Sequence, residues 1–189
     1  MIEVNNLVRR FGDLVAVDDL SFKVADGEIF GFLGPNGAGK TTTVKVIVGM
    51  IAPTSGEVHL NGLHLTENEL EIKRQIGYVP ESCAVYENLT GREHLEMVCE
   101  LHHLPPDKID ARINRLLELI ELKNAAEQRI IAYSKGMKQK LLLAGALIHN
   151  PKLLILDEPF SGLDANAQSV FKELIREFGG EPLEQYGPD

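Results

Sequence analysis

Eight consecutive residues, Gly34, Pro35, Asn36, Gly37, Ala38, Gly39, Lys40 and Thr41, combine glycines, one cation and one hydroxyl in an order suited to phosphate. Glycines let a loop curl so that successive backbone N–H groups point inward at phosphate oxygens. The apolar run "EIFGFLG" leads into this loop and reads as a strand, and a helix is expected from Lys40 to about Met50. The N-terminal end of that helix adds partial positive charge. Lys40 supplies a point charge for the outer phosphates, the Thr41 hydroxyl is placed to ligate Mg²⁺, and Thr42 is the next hydroxyl along. At average residue usage such a spacing arises by chance in only about 1% of chains this long.

A second stretch, "LLILDEP", points to the same chemistry. Four apolar residues suit a buried parallel strand, and Asp157 and Glu158 emerge together at its end. A bare Asp-Glu pair is usually a solvated turn. After such a strand, in a chain with a phosphate loop, Asp157 can hold Mg²⁺ through water. Glu158 can then orient and deprotonate an attacking water.

The rest of the chain must position these groups. Its 189 residues suit one domain of ordinary size, and 44% apolar with 25% charged residues suits a globular protein. The net charge of −9 argues against nucleic acid or an anionic membrane surface as the main partner. No apolar run reaches membrane-spanning length, and the start lacks the apolar core of a secretory signal. Cys83 and Cys99 form no metal spacing and imply no disulfide framework, and both suit small core positions in a reducing cytoplasm.

"VAVDDLSFKV" alternates as a half-buried strand and Asp26-Gly27 marks a turn. "TSGEVHLNGLHL" predicts a hairpin turning at Asn61-Gly62, then a short helix to Lys73 and a strand at "IGYVP". Residues 90 to 149 read as almost wholly helical, with Thr90 as a cap, a break at Pro105-Pro106 and amphipathic spacing in "DARINRLLELIEL". The strand "KLLILDEP" follows, then a helix from about Asp164 to Phe178. Strands, a helical insertion and a further buried strand suggest an α/β domain carrying an all-helical arm.

In order along the chain, "GPNGAGKT", "YSKGM", "LLILDE" and "SGLD" resemble the Walker A, signature, Walker B and D-loop motifs of ATP-binding cassette (ABC) transporter subunits. The resemblance covers residues 1 to about 178, and "YSKGMKQK" with "GYVPE" is most similar to the branch that energises drug, antibiotic and polysaccharide exporters. It implies a P-loop NTPase fold with an N-terminal antiparallel β subdomain and an inserted helical subdomain at about 85–145, leaving 179–189 as an irregular tail. It also implies ATP with Mg²⁺, a second cassette as partner and a separate integral-membrane permease. The subunit would then be cytoplasmic, peripheral at the inner face of the membrane, and would touch the membrane only through the permease.

Carried over residue by residue, the resemblance makes Phe11 an aromatic that stacks on adenine, a contact worth roughly 1–3 kcal/mol. It gives Glu81, where the family usually has Gln, a γ-phosphate-sensing role, although a carboxylate cannot donate as an amide does. Asp164 falls in the D-loop. Ser134 is expected to cap a helix whose N–H groups near Gly136, helped by Lys135, face the γ-phosphate of ATP on the partner cassette. "YSKGMKQK" is thereby an anion site and not a nucleic-acid patch, which would need more cations and interleaved aromatics. Lys138, Lys140, Arg9 and Arg10 are expected to be solvated, and His149 to cap a helix end.

One expected element is not read. The family has a further apolar strand after the D-loop helix, ending in a switch histidine, whereas "GGEPLEQYGPD" has no apolar run and His149 is the last of six histidines. A chain of this kind is expected to lack a strand from the middle of its parallel sheet and to bind ATP with little turnover. Two other readings are a soluble ABC ATPase of DNA repair or translation, usually marked by tandem cassettes or coiled-coil arms, and a remnant that only binds nucleotide.

Overall fold

The computed structural model describes residues 1–82, 84–161 and 163–180, so Cys83, Gly162 of the expected D-loop and the end of the expected tail lie outside the described residues. The chain forms two units, Met1–Ile76 and a second from Gly77 onward.

The first unit is built on a four-stranded antiparallel sheet. Strands β1 (Ile2–Phe11), β2 (Leu14–Val24), β3 (Ser55–Leu60) and β4 (Leu63–His64) run in the order β2-β1-β3-β4. Alternation decides its faces: Ile2, Val4, Val58 and Leu60 are buried, while their neighbours Glu3, Glu57 and His59 stand on the other side. The β3–β4 hairpin turns at Asn61 and Gly62, both with positive φ (51° and 80°), as a two-residue hairpin turn demands. Helices α1 (Lys40–Ile47) and α2 (Glu69–Arg74) complete the unit, burying Val46, Ile47 and Ile72.

The expectation of a strand at "EIFGFLG" is not met. Residues 28–34 lie in no strand among the described residues, and Ile29, Phe30 and Leu33 are 73%, 45% and 92% exposed. A strand exists only through ladder partners, and no described strand pairs with this run. It is held instead by rings: Phe22 of β2 stacks on Phe30 at 5.2 Å and meets Phe32 at 5.8 Å.

In the second unit, β5 (Ile76–Val79) pairs with β6 (Leu153–Leu156), and helices α3 (Gly91–Leu101), α4 (Pro106–Leu119), α5 (Lys135–Leu147) and α6 (Ala165–Gly180) carry most of the chain. Thr90 caps α3 in a capping box: its hydroxyl accepts from the Glu93 N–H, and the Glu93 carboxylate accepts from the Thr90 N–H. Leu95, Ile113, Leu117, Ile130, Leu141, Leu147 and Phe171 are fully buried or nearly so, each worth about 1.5–3 kcal/mol over exposure. Gly77 lets β5 approach α5, since a Cβ there would lie 2.3 Å from the Ala146 carbonyl oxygen. Among the described residues no strand follows β6.

Candidate functional site

In the first unit the loop of Gly34–Lys40 is shaped by its glycines. Gly37 and Gly39 both have φ of 83°, which side chains rarely adopt. Gly39 is also pressed against β2, where a Cβ would meet the Ala16 carbonyl oxygen at 2.2 Å. Gly39 is the N-cap of α1 and offers no side-chain cap, and the first turn holds no acidic residue. The N–H groups at this helix end are thus left facing the loop with their dipole uncompensated. Lys40 bends back over the loop, donating to the Gly34 carbonyl at 2.7 Å and the Pro35 carbonyl at 3.0 Å. Thr43 is buried and donates its hydroxyl to the Gly39 carbonyl at 3.0 Å, leaving Thr41, exposed, and Thr42, half-buried, as the first-turn hydroxyls. The arrangement is a glycine-built loop with one cation folded back onto its carbonyls.

In the second unit β5 and β6 end together, because the Asp157 N–H donates to the Val79 carbonyl at 2.9 Å. Asp157 is half-buried there, and burial together with the nearby Asp157 charge raises the Tyr78 phenol above its usual range. Glu158 is exposed and sits at φ 50°, a turn closed by the Ser161 N–H to its carbonyl at 3.1 Å. This left-handed residue ends the extended backbone sharply, so the two acids project from a kink and not from a continuing strand. Glu81, exposed, follows β5 by two residues and stands at the same strand ends. Asp164 is exposed at the start of α6, its carbonyl accepting from Gln168 at 3.0 Å. Ser134 is the N-cap of α5 and accepts from the Met137 N–H at 3.2 Å, while the first-turn N–H groups of Lys135 and Gly136 have no partner within the helix. Tyr133, just before the cap, is anchored by donating to the Ala125 carbonyl at 2.7 Å and abuts Gly91, where a Cβ would lie 2.3 Å from its hydroxyl.

The sequence profile of the ABC transporter family matches residues 17–161. The chain belongs to the ABC transporter family. It is 40% identical over 181 residues to the bacitracin transport ATP-binding protein BcrA of Bacillus licheniformis, covering 96% of this chain and 58% of that one. It is 41% identical over 175 residues to the Nod factor export ATP-binding protein I of Rhizobium meliloti, covering 93% and 52%. The chain therefore spans little more than half the length of these curated relatives. A solved structure of the ATP-binding subunit of an ABC transporter superposes with a TM-score of 0.89 at 34% identity, covering 96% of this chain and 76% of that one. A dimeric ATP-binding cassette, solved in a post-hydrolysis state with ADP and Pi, shares the fold at TM-score 0.85 and 23% identity. The ABC ATPase fold, with its antiparallel N-terminal sheet, is the one the sequence motifs imply.

Within this ABC fold several side chains stand otherwise than expected. Lys140 is not solvated: it is 7% exposed and paired with Glu121 at 2.9 Å. Lys138 is half-buried and paired with Glu87 at 2.5 Å. Both follow from α5 being buried on nearly every side, so that only Lys135 of the three lysines is exposed. Arg9 is half-buried, donating to the Ala52 carbonyl at 3.0 Å with its guanidinium 4.4 Å from the Phe11 ring centroid. Phe11 itself is 45% exposed at the end of β1. His149 lies just beyond the end of α5, where its ring stacks on that of His102 at 3.7 Å between centroids. Tyr78, one residue before the end of β5, stands near Asp157, and its place in "IGYV" is the only sequence signal for it.

Proposed function

We propose that this chain is the MgATP-binding part of an ABC exporter subunit, which powers transport through a separate integral-membrane permease after pairing with a second cassette. The observation that carries the reading is the cradle of Gly34–Thr41: positive-φ glycines, an uncapped helix start and Lys40 folded over it. The relatives support the export role, being named for bacitracin transport and Nod factor export. In this reading ATP phosphates take the place of the Gly34 and Pro35 carbonyls as partners of Lys40. Phe11 stacks on adenine with the ring face that Arg9 does not cover.

The Thr41 hydroxyl and the Asp157 carboxylate are each an oxygen donor that suits a hard cation, and each is assigned as a Mg²⁺ ligand in this reading. That ion, when bound, neutralises charge on the outer phosphates. Glu158 orients and deprotonates the attacking water, Glu81 reports on the γ-phosphate, and Asp164 lies against the partner cassette. Ser134 and Gly136 present the start of α5 to nucleotide on that partner. The subunit would work at the cytoplasmic face of the membrane, held there by the permease, with no role for nucleic acid.

The test is nucleotide binding by Lys40→Ala. With a fluorescent ATP analogue and Mg²⁺, affinity should fall by at least about tenfold, a loss typical of removing a charged hydrogen bond. Circular dichroism should show the wild-type fold. Near wild-type affinity in the folded variant would overturn the phosphate-site assignment.

A further inference from the structure

On the sheet face of the first unit opposite the buried Val58 and Leu60, two histidines and a carboxylate converge. His59 of β3 and His64 of β4 are cross-strand partners, and Glu57 lies two residues back on the same face of β3. The Leu65 N–H bonds to the Val58 carbonyl at 2.9 Å, so the neighbouring His59–His64 pair is the non-hydrogen-bonded kind, whose side chains stand closest. The two rings meet edge to face at 5.0 Å between centroids. One ligand atom from each of Glu57, His59 and His64 lies within 4.8 Å of the other two.

The hydrogen bonding of these groups is unfinished in a way a metal would complete. His64 Nδ1 is 2.9 Å from the Thr66 hydroxyl. With that nitrogen donating, Nε2 keeps its lone pair facing outward, the arrangement in which a second partner orients a metal-binding imidazole. His59 Nε2 lies 3.8 Å from Glu57 Oε2, too far for a hydrogen bond, and His59 Nδ1 is buried without a partner. The next carboxylate along the sheet, Glu3 opposite His59, is already committed to Lys23 at 2.6 Å.

We propose that Glu57, His59 and His64 form a binding site for a divalent transition-metal ion of the Zn²⁺ class. Two imidazoles and one carboxylate are a borderline donor set that suits Zn²⁺ and disfavours Mg²⁺ and Ca²⁺, which want oxygen ligands. Ligand atoms this close need only small side-chain rotations to reach bonding distance. Three protein ligands leave a fourth position for water. The bound ion would tie β3 to β4 across the Asn61-Gly62 turn, a structural clasp separate from nucleotide chemistry.

The experiment is calorimetric titration of ZnCl₂ into the metal-stripped, nucleotide-free chain. One equivalent should bind, with excess Mg²⁺ unable to displace it. His59→Gln and His64→Gln should each weaken binding at least about tenfold, and Thr66→Val by about tenfold through loss of orientation. His59 and His64 are half-buried and Thr66 is exposed in the turn after β4, and circular dichroism should confirm that each variant is folded. Zn²⁺ binding unchanged in the His59→Gln, His64→Gln double variant would overturn the assignment, as would no binding by the wild type.

Discussion

At the residue scale, the octapeptide Tyr133–Lys140 shows how one charge type takes different roles within one turn of helix or two. Lys135 is exposed at the capped end of α5, whereas Lys140 is buried against Glu121. The sequence made the first legible, because Ser134 before a helix is a cap wherever it occurs. It left the second unread, because three lysines in eight residues look solvated unless the helix is known to be buried on every side. The pair is lopsided, with Lys140 buried and the Glu121 side chain 56% exposed, and that makes its burial testable. Removing Glu121 takes a carboxylate from the buried Lys140 ammonium, whereas Lys140→Met replaces the charge with apolar volume. Glu121→Ala should therefore lower stability by about 1–3 kcal/mol in urea denaturation, while Lys140→Met should be close to neutral. Equal losses from the two changes would contradict burial of Lys140 as the governing fact.

Among the elements, the best-read were those whose signals are local. The Asn61-Gly62 turn, the Thr90 capping box and the strand "LLIL" each need only a few adjacent residues. "EIFGFLG" forms no strand among the described residues because an apolar, β-prone run reports a preference for burial, not the presence of ladder partners. Helix α3 carries a feature that no periodicity reveals. His94, in its first turn, is buried, its Nδ1 has no hydrogen-bond partner, and burial holds its pKa below the ordinary value of 6.5. The folded state thus binds that proton less readily than the unfolded chain. Stability from this residue is present above about pH 6.5 and is lost as the pH falls below it, where the unfolded state gains a proton that the folded state refuses. The urea midpoint should therefore drop on going from neutral to mildly acidic buffer, and His94→Leu should flatten that drop. A variant with the same acid sensitivity as wild type would assign the effect to other groups.

For the whole molecule, composition excluded more than it specified: a net charge of −9 and the lack, among the described residues, of any helix fit to cross a membrane leave the motifs to name the family. What composition could not show is where apolar surface remains uncovered. Ile29, Phe30 and Leu33 stand exposed in a segment that pairs with no strand among the described residues, just before the loop of Gly34–Thr41. Contiguous apolar groups on backbone that lies in no described strand are a template for association, whether by burial or by strand addition. The 189-residue chain should therefore bind a hydrophobic dye and elute as larger species as its concentration rises. Ile29→Thr with Leu33→Thr should reduce both effects while leaving the circular dichroism spectrum unchanged, since neither side chain is buried. Salt should not reverse the association, because Ile29, Phe30 and Leu33 carry no charge to screen. A chain that stays monomeric at every concentration and binds no dye would mean that residues 28–34 are covered in solution.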